Sequence, residues 1–150
     1  MARTDAEARQ LRDAVRRLLV AHGTLQEARR PCGTAMSISN AYALLELFDS
    51  DEPMTISLLA EKLAIDRTNV SRLCARMEKA GDLVRQAHPD DGRALALRLT
   101  AQGRRLARSV DESSAGHFAR IARKLGGSTD RTIDALGRLE RAMNLSEEDE

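Results

Sequence analysis

Hydrophobic residues recur at helical spacing along most of this 150-residue chain, and polar residues suited to helix caps precede several of the runs. The first apolar stripe spans Leu11–Leu25 behind a capping box of Thr4 and Glu7, which predicts a long helix ending near residue 30. A second helix is predicted over SISNAYALLELF, with Ser37 or Ser39 as its cap. The chain is therefore predicted to begin with two amphipathic helices.

Two further predicted helices are separated by only a few residues. Thr55 is placed to cap the first, in MTISLLAEKLAI, and Asp66 is placed to cap the second, in IDRTNVSRLCARMEKAG. The short LAID connection between them predicts a helix–turn–helix. In the second helix, apolar residues fall at positions i, i+3, i+4 and i+7 of one face: Val70, Leu73, Cys74 and Met77.

After Gly81 the hydrophobic period changes from helical to alternating. The runs LVRQA and ALALRLT are typical of β-strands, and Leu95, Leu97 and Leu99 are predicted to share one face. The HPDDG segment between them is typical of a turn, in which Gly92 is suited to a left-handed backbone conformation. A β-hairpin directly after a helix–turn–helix is the winged-helix arrangement.

Two more helical stripes follow the hairpin. Thr100 is predicted to cap a helix whose stripe runs from Leu106 to Leu125 and stops at GGS, and a last helix begins at Ser128 or Thr129. The predicted fold class is mainly α (α+β), a winged helix-turn-helix with a small hairpin. We expect a single domain over residues 1–150, with a winged-helix lobe at 36–100 and flanking helices at 4–30 and 101–145.

Composition narrows the functional classes. The chain is 42% hydrophobic and 31% charged with a net charge of +1, which favours a soluble, helix-rich domain and leaves nucleic-acid binding to be judged from the distribution of charge. No apolar run is long enough to cross a bilayer and the opening residues do not resemble a signal peptide, so a cytoplasmic protein without membrane contact is expected.

The sequence offers little for catalysis or metal binding. Its three histidines, His22, His88 and His117, have no second ligand at i+3 or i+4, which argues against a zinc site. Glycine-rich phosphate loops and the HExxH and GxSxG motifs are absent from the sequence. We therefore expect neither an enzyme nor a bound cofactor.

The face of the IDRTNVSRLCARMEKAG helix opposite its apolar stripe carries hydrogen-bond donors suited to duplex DNA. Thr68 and Asn69 lie in the first turn, where unpaired backbone N–H groups favour a phosphate. Asn69, Arg72 and Arg76 have side chains able to reach base edges in a major groove, and Ser71 is suited to hold the DNA backbone. This helix is therefore the predicted recognition helix.

The hairpin adds a second predicted contact. An arginine at a hairpin tip can enter a minor groove, where narrow A·T-rich segments concentrate negative potential, and Arg93 stands at that tip. Asp91 lies two residues earlier, close enough to pair with Arg93 and fix its direction. Four further basic residues are equally well explained as DNA contacts or as ordinary surface residues: Arg67, Lys79, Arg85 and Arg98.

The segments TISLLAEKLAIDRTNVSRLCARMEKAGDLVRQ and DGRALALRLT resemble the MarR family of bacterial transcriptional regulators. The second follows the family's wing pattern of Asp, any residue, Arg, five residues and Leu-Thr. The resemblance implies that the helix over 67–80 lies in the major groove of double-stranded DNA and that Arg93 contacts the minor groove. In one departure from the family pattern, Ala64 stands in the turn where glycine is frequent.

The resemblance also implies a homodimer formed by the N- and C-terminal helices, acting as a repressor on a pseudo-palindromic operator. Many family members are released from DNA by a small anionic ligand bound between the dimerisation helices and the DNA-binding lobe. These properties are expectations that rest on the family alone.

Two other functions are also consistent with the sequence. A winged helix can serve as a protein–protein interaction module, since the fold does not fix the function. A cysteine-based redox-sensing regulator is the other, because Arg29 and Arg30 could lower the pKa of the nearby Cys32 thiol, although Cys32 follows the first helix and the family's sensing cysteine lies near its start. Cys74 lies on the inward stripe and is predicted to be a small core residue.

Overall fold

A computed structural model of the chain describes residues 2–22 and 36–147. These residues form a mostly helical fold with one two-stranded antiparallel hairpin, as predicted. The elements are α1 (Ala2–His22), α2 (Ile38–Asp49), α3 (Ile56–Leu63), α4 (Arg67–Lys79), β1 (Leu83–Ala87), β2 (Leu95–Leu99), α5 (Ala101–Leu125) and α6 (Thr129–Glu147). The chain divides into two compact units, Met1–Glu112 and Ser113–Glu150.

Side-chain caps begin most of the helices of the first unit where the sequence places them. The side-chain oxygen of Ser37 accepts a hydrogen bond from Asn40 N, and that of Thr55 accepts one from Leu58 N. Ser37, rather than Ser39, is therefore the cap of α2. The capping box predicted at Thr4 is wrong, because Thr4 lies inside α1, which already includes Ala2. The predicted end of this helix near residue 30 falls outside the described residues.

The core of the first unit forms where α2, α3, α4 and the hairpin meet. The predicted stripe of α4 is confirmed, since its four members are at most 2% exposed. Leu44 of α2 and Leu59 of α3 are completely buried beside it, and Leu106 and Val110 extend the core into the first turns of α5. Burying this stripe fixes which side of α4 faces outward.

The hairpin pairs Leu83 with Leu99 and Ala87 with Leu95. Leu95, Leu97 and Leu99 occupy alternate positions of β2 and so share one face, as predicted, but Leu95 is 53% exposed. Leu95 lies at the outer end of the hairpin, opposite the exposed Ala87, whereas Leu97 and Leu99 reach the core. Buried and exposed side chains therefore alternate along β2 only near the core.

The opposite edge of β2 is held by a residue that the sequence did not predict to pair. Met54 forms an isolated antiparallel bridge with Leu97, and Leu97 N donates to Met54 O over 2.7 Å. The bridge ties the segment before α3 to the hairpin, and Met54 is almost completely buried there. The wing is thus anchored on both edges of β2.

The turn between α3 and α4 contains a left-handed alanine. Ala64 has φ 50° and ψ 44°, and its N–H faces the carbonyls of Ala60 and Glu61. Ile65 N donates to Ala60 O, so the turn has the hydrogen bonds of a glycine-type helix C-cap. The left-handed conformation predicted at Gly92 is wrong: among the glycines of the described residues, only Gly81 and Gly126 have positive φ.

Replacing Ala64 with glycine is expected to raise the free energy of unfolding by roughly 0.5–1 kcal/mol, because the strain of a left-handed Cβ exceeds the entropy that glycine adds to the unfolded chain. Chemical denaturation at a fixed protein concentration measures this difference. Ala75→Gly, at an exposed interior position of α4, is the matched control and should lower the free energy of unfolding by about 1 kcal/mol. A loss at both positions would contradict the strain assigned to Ala64.

The second unit contains the C-terminal half of α5, a 3₁₀ turn over Gly126–Ser128, and α6. The hydroxyl of Thr129 donates to Gly126 O over 2.9 Å, and that of Thr132 donates to Ser128 O over 2.8 Å. The last helix therefore begins at Thr129, one of the two predicted positions. Within residues 2–22 and 36–147, no helix is long and apolar enough to span a membrane.

Candidate nucleic-acid interface

The outward face of α4 carries the predicted DNA-contact residues. Arg67, Thr68 and Asn69 are exposed in its first turn, and Arg72 and Arg76 are exposed one and two turns later. Ser71, also predicted to face DNA, is half-buried. The chain folds this way because the opposite face of the helix is apolar and is completely covered by α2, α3 and the hairpin.

The N-terminus of α4 is capped by Asp66, as predicted. Asp66 Oδ1 accepts a hydrogen bond from Asn69 N over 3.0 Å, and Asp66 Oδ2 accepts a second from the side-chain amide of Asn69. This carboxylate satisfies one of the unpaired N–H groups at the helix start and adds a negative charge there. Asn69 is thereby held at the first turn, and one of its two side-chain amide protons is hydrogen-bonded to Asp66 in the protein without DNA.

Arg72 and Arg76 lie along one groove. Ser39 from the start of α2 and Asn69 complete its polar lining, Ile65 and Leu73 form its apolar part, and its volume is about 320 Å³. Within the side chains that the structure describes, neither guanidinium takes part in an ion pair. Both charges therefore remain available to phosphates or base edges, the usual targets of arginine in DNA.

The tip of the hairpin is closed by local hydrogen bonds. His88 N donates to Ala94 O, and Ala94 N donates to Asp91 O, each over 3.0 Å. Asp91 Oδ1 accepts from the backbone N–H of Arg93 over 3.0 Å. Asp91 thus constrains the backbone that carries Arg93, and the exposed side chain of Arg93 projects from a fixed turn.

Arg85 is occupied by a contact within the protein. Its Nε donates to Glu78 Oε2 over 3.0 Å, which joins β1 to the last turn of α4. Burial raises the pKa of the neighbouring Cys74 thiol; the charge of Arg85 lowers this pKa in part, and Glu78 adds to the increase. Cys74 is completely buried, which confirms it as a core residue, and it stays a neutral thiol at physiological pH.

Comparison with known proteins agrees with this geometry. A model of the MarR family matches residues 36–94. The HTH-type transcriptional regulator YkoM of Bacillus subtilis strain 168 is 30% identical over 95 residues, which cover 63% of this chain and only 60% of YkoM. YdgJ of the same strain, also an HTH-type transcriptional regulator, is 30% identical over 112 residues, covering 74% of this chain and 68% of YdgJ.

The chain belongs to the MarR family. Among solved structures, that of the transcriptional regulator PcaV from Streptomyces coelicolor, in complex with its natural ligand, has the same fold, with a TM-score of 0.69 at 24% identity over 87% of this chain and 91% of PcaV. MarR-family proteins are DNA-binding transcriptional regulators and not enzymes, so this member is a DNA-binding transcriptional regulator.

Two features of this MarR-family protein were missed by reasoning from sequence. The Glu78–Arg85 pair joins residues of opposite charge across Gly81, and their separation alone does not show that they meet. The engagement of Asn69 by Asp66 was also missed, although an acidic cap three residues before an amide is a usable signal. Cys32 lies outside the described residues. In the part of the chain that the structure describes, no three potential metal ligands come together.

Proposed function

We propose that this MarR-family regulator is a homodimeric repressor that binds a pseudo-palindromic operator. In this proposal, α4 enters the major groove of each half-site, and Arg93 enters the adjacent minor groove. Residues 36–100 form the DNA-binding lobe, and the helices within 4–30 and 101–145 form the dimer. The observation that carries the proposal is the outward face of α4, where Arg72 and Arg76 line one groove without an ion pair in the described structure.

The proposed contacts divide into two classes. Asn69, Arg72 and Arg76 are placed to read bases, since bidentate hydrogen bonding by arginine and amide side chains distinguishes base pairs in the major groove. Arg67, Thr68 and Ser71 are placed to hold phosphates near the N-terminus of α4, where the backbone N–H groups and the helix dipole favour anions. The Asp66 carboxylate occupies part of this helix end, so phosphate binding depends mainly on the side chains.

Apolar side chains that remain exposed support the proposed dimer. On α1, Leu11, Leu18 and Leu19 are each more than half exposed. The second unit exposes a larger set, which lies on both of its helices: Phe118, Ile121, Leu125, Ile133, Leu136 and Met143. Apolar side chains repeated along helices in this way favour a protein interface over solvent, and a second copy of the chain is the partner that a two-fold operator requires.

Release by a small anionic ligand completes the proposal. The PcaV structure contains that protein's natural ligand, which supports a ligand for this fold without identifying one for this chain. A ligand that changes the separation of the two α4 helices would lower operator affinity, because both half-sites must be contacted at a fixed spacing.

Enrichment of bound sequences from random duplexes tests the proposed function. We expect a two-fold symmetric consensus with half-sites about one helical turn, roughly 34 Å, apart. Sedimentation equilibrium of the free protein should give twice the chain mass. Affinity for the enriched duplex should fall steeply with salt, because phosphate contacts release counterions.

Other outcomes would favour the alternatives. A folded protein that enriches no sequence and binds duplex DNA no better at low salt would support a protein–protein interaction module. An asymmetric consensus or a monomer would contradict the dimeric repressor. Loss of peroxide-induced release in Cys32→Ser, with operator binding retained, would support redox sensing.

A further inference from the structure

The C-terminal end of α4 is closed by a glycine-type cap. Asp82 N donates to Met77 O over 2.9 Å and Gly81 N donates to Glu78 O over 3.0 Å, with Gly81 at φ +82°. These bonds satisfy carbonyls in the last turn of the helix. The carbonyls of Ala80, Gly81 and Asp82 then point beyond the helix end and need partners from elsewhere in the fold.

All three of these carbonyls are bound by the entry into α5. Gln102 Nε2 donates to Ala80 O over 2.8 Å, Thr100 Oγ1 donates to Gly81 O over 2.6 Å, and Thr100 N donates to Asp82 O over 3.0 Å. The same Thr100 hydroxyl accepts from Gly103 N and so caps α5. The end of the recognition helix is therefore held directly by the start of the next long helix.

Gln102 makes a second contact that Thr100 does not. Its Nε2 also donates to Asp82 Oδ1 over 2.8 Å, so one side-chain amide bridges a backbone carbonyl and a carboxylate. Asp82 is completely buried, and its backbone lies so close to α5 that a Cβ added to Gly103 would stand 1.9 Å from Asp82 O. Both N–H protons of the Gln102 amide are thereby directed at a part of the chain that has little room to move.

We propose that Gln102 is a positioning residue for the recognition helix, fixing the angle between α4 and α5 through Ala80 O and Asp82 Oδ1. Gln102 itself has no contact with DNA in this proposal. The inference rests on the proposed dimeric operator binding: when α5 connects α4 to the partner copy, the α4–α5 angle sets the separation of the two recognition helices. Gln102 then governs selectivity for half-site spacing, whereas Arg72 and Arg76 govern affinity for each half-site.

Gln102→Met tests this role, because methionine keeps the length of the side chain and removes both N–H donors. Binding is measured on duplexes that keep both half-sites and change their separation one base pair at a time. We expect the preference for the best spacing over its neighbours to weaken by roughly 3- to 30-fold, while the salt dependence on non-specific DNA stays unchanged.

Hydrogen exchange without DNA supplies a second readout. In Gln102→Met, the amides of Gly81 and Asp82 should exchange about tenfold faster than in the wild type, while the Leu59 amide in α3 is unchanged. A Gln102→Met protein with wild-type exchange at Gly81 and Asp82, or with a wild-type spacing profile, would overturn the positioning role and leave the proposed function intact. A wild-type protein that shows no spacing preference on any duplex would overturn both.

Discussion

Arg72→Ala and Arg76→Ala are each expected to weaken binding to the preferred operator by roughly 5- to 150-fold, which corresponds to about 1–3 kcal/mol per lost base contact. Both guanidinium groups are exposed along one groove, and in the described structure neither has an ion-pair partner to lose. The free energy of unfolding should therefore be nearly unchanged, while the affinity for the operator should fall. Fluorescence anisotropy on the enriched operator measures it.

The two roles open to each arginine give different results when the operator is varied. Loss of a base contact relaxes the preference at one base pair, whereas loss of a phosphate contact weakens all sequences alike and reduces the salt slope by about 1. Arg108→Ala, which removes the same charge from an exposed position of α5, is the matched control. Equal losses in Arg108→Ala and Arg72→Ala would mean that total charge, and not the groove, carries the binding.

Arg93→Ala distinguishes the contribution of the hairpin to DNA binding from that of the recognition helix. It should lower operator affinity without changing the preferred bases of the major-groove half-site, because a minor-groove arginine responds to groove width more than to base identity. Since Asp91 holds the backbone of Arg93, the hairpin should keep its conformation in this variant.

Local sequence patterns were sufficient to predict the helices and strands and to predict which face of α4 is exposed. The Val70, Leu73, Cys74 and Met77 stripe identifies the buried side of the helix because it depends only on spacing within one helix, and the caps at Thr55 and Asp66 depend on contacts three residues apart. The same patterns make Asn69, Arg72 and Arg76 candidate DNA contacts, because whatever lies opposite a buried stripe must be exposed. Their roles on DNA stay predictions.

Contacts between distant segments could not be predicted in this way. Nothing local to Met54 shows that it will pair with Leu97, and nothing local to Gln102 shows that its amide will meet Ala80 and Asp82. Gly92 in the hairpin turn lacks the expected left-handed conformation, whereas Ala64 in the α3–α4 turn adopts one although it is not glycine, because the helix–turn–helix requires a tight exit from α3. Residue type alone predicted a left-handed glycine at the wrong residue, whereas the backbone hydrogen bonds of the α3–α4 turn account for the left-handed alanine.

A contact between distant segments also decides the effect of substituting Gly103, the glycine at the start of α5. Helix propensity alone predicts that Gly103→Ala stabilises the protein by about 1 kcal/mol, since glycine is a poor residue within a helix. The packing predicts the reverse. An added Cβ would lie 1.9 Å from the carbonyl oxygen of Asp82 and 2.8 Å from its carbonyl carbon, distances at which atoms must move apart.

Gly103→Ala is expected to lower the free energy of unfolding by about 3 kcal/mol, the upper part of the range for overpacked cores. The atom in the way belongs to the backbone of a completely buried residue, whose N–H is bonded to Met77 O and whose carbonyl is bonded to Thr100 N. Separating α5 from the end of α4 would relieve the contact only by breaking these bonds and those of Gln102. Thermal and chemical denaturation measure the loss.

Gly116→Ala, in the same helix, is the control with the opposite expected sign. The nearest atom to its added Cβ is the terminal Nη1 of Arg120 at 3.9 Å, so the gain in helix propensity, about 1 kcal/mol, should appear without a clash. Stabilisation by Gly103→Ala comparable to that by Gly116→Ala would show that α5 is not held against Asp82 as closely as the structure has it. Destabilisation confined to Gly103→Ala would place the constraint at the junction of α4 and α5, the same contact through which Gln102 is proposed to set the angle of the recognition helix.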